Sequence, residues 1–137
     1  MRGRAYADVA KALDRFDHSE RLQNHRVKYL SVRKSGGIRL MAIADLMYIK
    51  GANVYTELVS KNGEKELYDK TLDDLSKILP GNFFRIHKSY IVDIHAIKSV
   101  KVQGSGKYAI ELHSKEILPV SRARYAHLMT KLAPSLQ

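Results

Sequence analysis

The chain has 137 residues, 45% of them hydrophobic, which is enough to bury one ordinary core but not two. Its 24 Lys and Arg against 14 Asp and Glu give a formal charge of +10, an excess that favours polyanions and leaves nucleic acid and an anionic membrane surface both open. The absence of cysteine excludes a disulfide framework and a thiolate metal site. No stretch approaches the roughly 20 apolar residues of a membrane helix, and the opening MRGRAYADVAKALDRF lacks a signal-peptide core, so a cytoplasmic location is expected.

The hydrophobic period divides the chain into three zones. In residues 1–26, Tyr6, Val9, Leu13 and Phe16 recur at spacings of three and four, which predicts an amphipathic helix followed by polar residues. This extension reads equally as a linker from another module, a dimerisation element, or a helix packed back on the main domain. The expected domain is 27–137.

Short strands punctuated by turns follow. Val27 to Arg33 and Ile38 to Met41 flank Lys34-Ser35-Gly36-Gly37. Val54 to Val59 and Glu64 to Tyr68 flank Lys61-Asn62-Gly63, whose Asn-Gly pair supplies positive φ angles. Ile97 to Val102, Lys107 to Leu112 and Glu116 to Val120, separated by Gln103-Gly104-Ser105-Gly106 and His113-Ser114-Lys115, form a meander. One helix interrupts the strands: Thr71 caps it, Asp73 and Asp74 sit in its first turn, Leu72, Leu75, Ile78 and Leu79 form its apolar face, and Pro80-Gly81 stops it. Ser121 caps a last helix running to about Leu132, with Tyr125, Leu128, Met129 and Leu132 on one side and Pro134 beyond.

Enzyme chemistry has no foothold in this pattern. The six histidines form no His-Glu-x-x-His pair, and there is no phosphate-binding glycine loop or nucleophile elbow. No catalytic residue, metal ligand or cofactor is expected. Gly104-Ser105-Gly106 reads as a hairpin turn because no helix follows to lend its dipole to an anion. The stretch RIHKSYIVD, Arg85 to Asp93, is different. If Tyr90 to Asp93 is a strand, with Tyr90 and Val92 on one face and Ile91 on the other, then His87, Lys88 and Ser89 occupy the bend before it. Donor-rich side chains on a stiff turn suit phosphate oxygens, and a long cation beside them reaches base edges. The alternative is a solvated loop in which Arg85 pairs with a carboxylate and Ser89 caps local backbone.

Five blocks occur in order: MYIKGANVY at Met47 to Tyr55, YDKTL at Tyr68 to Leu72, FFRIHKSYIVD at Phe83 to Asp93, Ile97, and LPVSR at Leu118 to Arg122. Together they resemble the LytTR-type DNA-binding domain of bacterial transcription regulators, over about Val27 to Leu132. The resemblance implies a mainly β fold, an elongated β-sandwich of short antiparallel strands with a short internal helix and a C-terminal helix. It also implies sequence-specific binding of double-stranded DNA through loops, without enzymatic activity. Three contact regions carry over. After Ile49, Asn53 and Tyr55 are the candidates, although Tyr55 also fits a cross-strand aromatic pair. In the second loop Lys88 reads a base, while Arg85, His87 and Ser89 hold phosphates. At the last helix, relatives place a cation two residues after the serine; here that position is Ala123, a departure, and Arg122 or Arg124 stands in for it. Both arginines also read as helix-surface charges, but a basic first turn opposes the helix dipole.

The family resemblance further implies the output half of a two-component response regulator, controlled by a receiver domain or an upstream sensor kinase system, binding paired direct repeats in promoters. The expectation is a monomer in solution and two copies on DNA, with no membrane partner, and residues 1–26 are too few for a receiver fold. An RNA-binding β domain that stacks bases on Tyr48, Tyr55, Tyr90 and Tyr108, or an anionic-membrane-surface module, are the competing classes.

Overall fold

The computed structural model describes residues 27–132. The expected helix at Tyr6 to Phe16 and the stop at Pro134 lie outside the described residues. The described chain is mainly β, ten strands in three antiparallel sheets with two α-helices. Strands β1 (Tyr29–Lys34) and β2 (Gly37–Ala42) form a hairpin that closes at Ser35-Gly36. Ser35 has φ 43° and Gly36 φ 78°, the pair of left-handed conformations a tight two-residue hairpin requires.

The second sheet has the order β5-β4-β3-β7-β6. It contains β3 (Leu46–Ala52), β4 (Tyr55–Ser60), β5 (Lys65–Tyr68), β6 (Phe83–His87) and β7 (Tyr90–Asp93). The third is the expected meander, β8 (Ile97–Gln103), β9 (Lys107–Leu112) and β10 (Ile117–Val120), with Pro119 on the edge strand β10 where no inner ladder bond is lost. Helix α1 (Leu72–Ile78) begins with the expected Thr71 cap: its hydroxyl accepts from the Asp74 N–H at 3.1 Å, and the Asp74 carboxylate accepts from the Thr71 N–H at 3.2 Å. The helix stops at Ile78, which is exposed, while Leu79 turns inward as the chain leaves the helix. Helix α2 spans Arg122–Leu132, its Arg124 N–H donating to the Ser121 hydroxyl at 3.3 Å.

The five-stranded sheet is the middle layer. On one face Ile49, Leu58 and Ile91 pack with Leu30, Val32 and Met41 of the hairpin and with Leu72, Leu75 and Leu79 around α1. On the other, Tyr48, Val59 and Val92 pack with Ile110, Leu112, Leu118 and Val120 of the meander and with Leu128 of α2. A sheet buried on both faces gives continuous apolar runs instead of alternation, which is why Leu46–Ile49 is buried at all four positions. Tyr90 and Val92 face the meander and Ile91 the hairpin, as the alternation predicts. Polar groups tie the layers: the buried Tyr48 hydroxyl donates to Glu116 at 2.8 Å, and the buried Glu66 carboxylate on β5 accepts Lys34 at 2.8 Å and meets Arg39 at 3.3 Å across the hairpin. Burial and then the Glu116 carboxylate push the Tyr48 phenol well above its ordinary range, so this hydroxyl stays a donor.

Candidate nucleic-acid interface

Two turns leave the same end of the middle sheet because β3 and β7 are paired neighbours, with Lys50 opposite Tyr90. The first is shorter than the sequence suggests. Strand β3 continues past Ile49 to Ala52, which pairs with Tyr55, so the loop contains only Asn53 and Val54. Asn53 has φ 61°, a left-handed conformation that asparagine tolerates better than most residues, and its side chain is exposed. Tyr55 is also exposed, and the residue directly opposite is Ala52, which offers no ring for a cross-strand pair.

The second turn contains Lys88 and Ser89. His87 belongs to the strand and pairs with Tyr90, not to the bend where the sequence reading puts it. The ladder slips between Arg85 and His87, and this bulge sends the two side chains to different surroundings. Arg85 lies on the α1 side: Nη1 donates to Asp73 Oδ1 at 2.9 Å, Nε to the His87 carbonyl at 3.0 Å and Nη2 to the Lys88 carbonyl at 2.7 Å. Its side chain is only 19% exposed. The carboxylate pairing weighed for Arg85 is therefore realised, and the guanidinium clamps the turn that Lys88 occupies. Lys88 itself is exposed, with no ion pair among the described residues.

His87 packs edge-on against Tyr90, with ring centroids 5.9 Å apart. Its Nδ1 accepts the Ser89 N–H at 3.1 Å, so the neutral ring carries its proton on Nε2 and presents it as a donor. Burial, and then the nearby Lys88, Arg85 and Arg124 cations, hold the imidazole below its ordinary value, keeping it neutral at pH 7. The backbone joins the two turns where the Gly51 N–H donates to the Ser89 carbonyl at 2.8 Å. A Cβ at Gly51 would meet Leu72 Cδ1 at 2.9 Å, so a larger residue there would push the Leu72 side chain aside where β3 passes beneath α1. Asn53, Tyr55, Arg85, Lys88 and Ser89 accordingly line one groove, with Thr71 and Asp73 on its far wall.

The third region arrives from the opposite face. The Ser121 N–H donates to the Ile86 carbonyl at 2.9 Å, pinning the start of α2 to β6 one residue before His87. Arg124 lies near enough to His87 to depress its protonation, and both Arg122 and Arg124 are exposed. Arg122 rests on the β8–β9 turn, its Nη2 2.5 Å from where a Cβ on Gly106 would stand, and the φ of 71° at Gly106 is what favours glycine there. Sequence reasoning missed Asp73 as the anchor of Arg85 and Gly106 as the seat of Arg122. Neither contact has a local signature. What results is one sheet end bearing an amide, a phenol, an imidazole donor, a hydroxyl and the exposed cations Lys88 and Arg124, with Arg122 beyond them on the β8–β9 turn. Among the described residues no group of His, Asp or Glu could hold a metal ion, and no helix is long and apolar enough to cross a membrane.

A family model described as the LytTr DNA-binding domain matches residues 36–133. An uncharacterized response regulatory protein of Vibrio cholerae serotype O1 is 28% identical over 121 residues, covering 85% of this chain and 46% of that protein. The chain thus spans about half the length of the curated relative it matches. Among solved structures, a LytTr DNA-binding domain from Bacillus cereus superposes with a TM-score of 0.70 at 18% identity, over 78% of this chain and 98% of that one, a likeness of fold.

Proposed function

Because this chain belongs to the LytTR DNA-binding domain family, we propose that it binds duplex DNA in a sequence-dependent way, as the output domain of a two-component response regulator. The observation that supports this most is the convergence of three separate chain regions, around Asn53, Lys88 and Arg124, on one end of a rigid sheet. In this reading Lys88 and Asn53 reach base edges, Lys88 as donor to guanine O6 and N7. His87 Nε2, Ser89, Arg122 and Arg124 hold phosphates, and Tyr55 flanks the groove. Arg85 takes a role other than the expected phosphate contact: it fixes the turn that aims Lys88. The domain is a monomer in solution and binds as two copies on paired direct repeats, downstream of a receiver domain and sensor kinase. It works in the cytoplasm and without catalysis.

The test is selection of bound duplexes from a random library, followed by competition of the selected duplex against scrambled DNA, single-stranded RNA and anionic vesicles. Retention of the selected duplex alone at moderate salt is expected. With Lys88, Arg122 and Arg124 of each bound copy releasing counterions, log K against log salt falls with a slope of roughly −3 per copy, at about 0.9 per cation. Equal competition by all four, or no salt dependence, removes the reading.

A further inference from the structure

A groove of about 540 Å³ lies between the β1–β2 hairpin and β5, a volume in the range that holds a small molecule. Its walls are mainly apolar: Ile38 is 72% exposed and Leu67 62%, and Tyr55 and Tyr68 add their rings. The groove given to DNA is mainly polar, although the two share Tyr55. Most of the polar groups here are donors. Arg33 and Ile38 stand opposite each other in the ladder and so share one face of the hairpin. Two other cations of that hairpin, Lys34 and Arg39, are taken by Glu66 at 2.8 and 3.3 Å. Arg33 and Lys70 have no ion pair or hydrogen bond among the described residues, and the Tyr68 hydroxyl has no hydrogen-bond partner among them. Burial, and then Asp69, push the Tyr68 phenol up, so it stays a donor. Asp69 is the one carboxylate in the lining, which leaves two cations against one anion.

We infer that this groove binds a small amphipathic anion, a free molecule whose aromatic or branched apolar body lies against Ile38, Leu67 and the tyrosine rings while its single carboxylate meets Arg33. Each part of that chemistry answers a feature of the lining. A planar guanidinium takes a carboxylate through two parallel hydrogen bonds, and the apolar walls reward a body that covers them. Inorganic phosphate would satisfy Arg33 and leave the walls wet. A neutral body would cover the walls and strip water from the guanidinium without replacing its hydrogen bonds. A cationic ligand would find Asp69 in its favour and both Arg33 and Lys70 against it. A DNA backbone brings no apolar body to set against Ile38 and Leu67. The inference goes beyond the DNA-binding reading and does not rest on it: Tyr55 borders both grooves, so the site is tested with no DNA present.

The full 137-residue chain is titrated with three probes that share one body: biphenyl-4-carboxylate, biphenyl-4-methanol and biphenyl-4-methylammonium. With the carboxylate, methyl NMR is expected to show saturable shifts at Ile38 and Leu67 and none at Val102 and Ile117, which are exposed apolar residues of the meander. The carboxylate is expected to bind about fivefold more tightly than the alcohol, and the ammonium more weakly than either. Arg33→Gln, which breaks no ion pair or hydrogen bond of the described fold, is expected to bring carboxylate and alcohol to equal affinity. Lys107→Gln removes the same charge from an exposed position on the meander and is expected to keep the gap, which separates a local site from the pull of a chain of formal charge +10. Absence of saturable shifts at Ile38 and Leu67 with millimolar carboxylate, equal affinity for the three probes, equal shifts at Val102 and Ile117, a gap that survives Arg33→Gln, or one that Lys107→Gln also closes would each overturn the inference. None of these results bears on the DNA-binding reading, which has its own test.

Discussion

Two turns of two residues each, Ser35-Gly36 and Lys88-Ser89, show contrasting ways of fixing a loop. The first is shaped from within: both residues adopt positive φ, and the tip is bare of packing, with nothing within 4 Å of a Cβ built on Gly36. The second contains no positive φ, and its form is imposed from outside. Arg85 holds two of its carbonyls, His87 receives the Ser89 amide, and Gly51 donates to the Ser89 carbonyl. A self-shaped turn leaves its side chains without duties. An externally braced one can place an exposed lysine within a fraction of an ångström while its own residues remain free to be chosen for what they contact.

The comparison breaks most severely at Arg85. Arg85→Ala removes a half-buried cation that donates to two carbonyls and a carboxylate, and is expected to cost about 2 to 4 kcal/mol of stability. Binding to every duplex is expected to weaken with it, because the tip loses its shape. Thermal unfolding alongside anisotropy titrations of several duplexes checks this; an unaltered melting temperature with uniformly weaker binding would return Arg85 to a direct phosphate contact. Lys88→Ala is the complementary case. Nothing in the fold leans on this side chain, so the melting temperature is expected to hold while the preferred site loses about 1 to 3 kcal/mol of affinity and preference at one base position flattens. If every duplex binds the variant as it binds the natural chain, Lys88 is a solvated turn residue.

The same contrast explains what was legible in the sequence. Turns and caps governed by neighbours two to four residues away were readable: Ser35-Gly36, the Thr71 cap, the Gln103 to Gly106 turn, and the turn at Asn62-Gly63, where Gly63 alone takes the positive φ expected of both residues. Strand β3 carries no alternation, since its sheet is covered on both sides, and β6 alternates in burial over only five residues; the residue pattern alone assigned neither. The family blocks located the contact regions in order along the chain. They did not reveal that Arg85 turns toward α1, because Asp73 lies twelve residues upstream and meets it only once α1 has docked on the sheet. Gly36→Ala sharpens this point: forcing a side chain to φ 78° is expected to cost about 1 to 2 kcal/mol of stability and leave DNA affinity unchanged. Loss of binding in that variant would mean the hairpin tip touches DNA, contrary to the division between self-shaped and braced turns.

The smallest effect separates the two turns by pH, because only the braced one is held by an imidazole, that of the flanking His87. In the folded chain burial and then the neighbouring cations hold His87 below the ordinary histidine value of 6.5, and Nδ1 already accepts the Ser89 N–H. Protonation would leave two N–H groups facing each other. As pH falls through 6.5 the unfolded chain therefore takes up this proton before the folded one, and folded stability declines over that window; above it, the contribution is constant. His87→Gln removes the group and is expected to flatten this part of the stability profile, measured as the difference between variant and natural chain so that the remaining histidines cancel. The same subtraction applied to Gly36→Ala is expected to give a line without slope, since no titrating group lies in that turn. Protection of the Ser89 amide from hydrogen exchange supplies a local reading: it is expected to fall below pH 6.5 in the natural chain while the amides of β1 and β2 keep theirs. If Ser89 stays protected once the folded ring has taken up its proton, the ring is not the acceptor, and the turn is held by Arg85 and Gly51 alone.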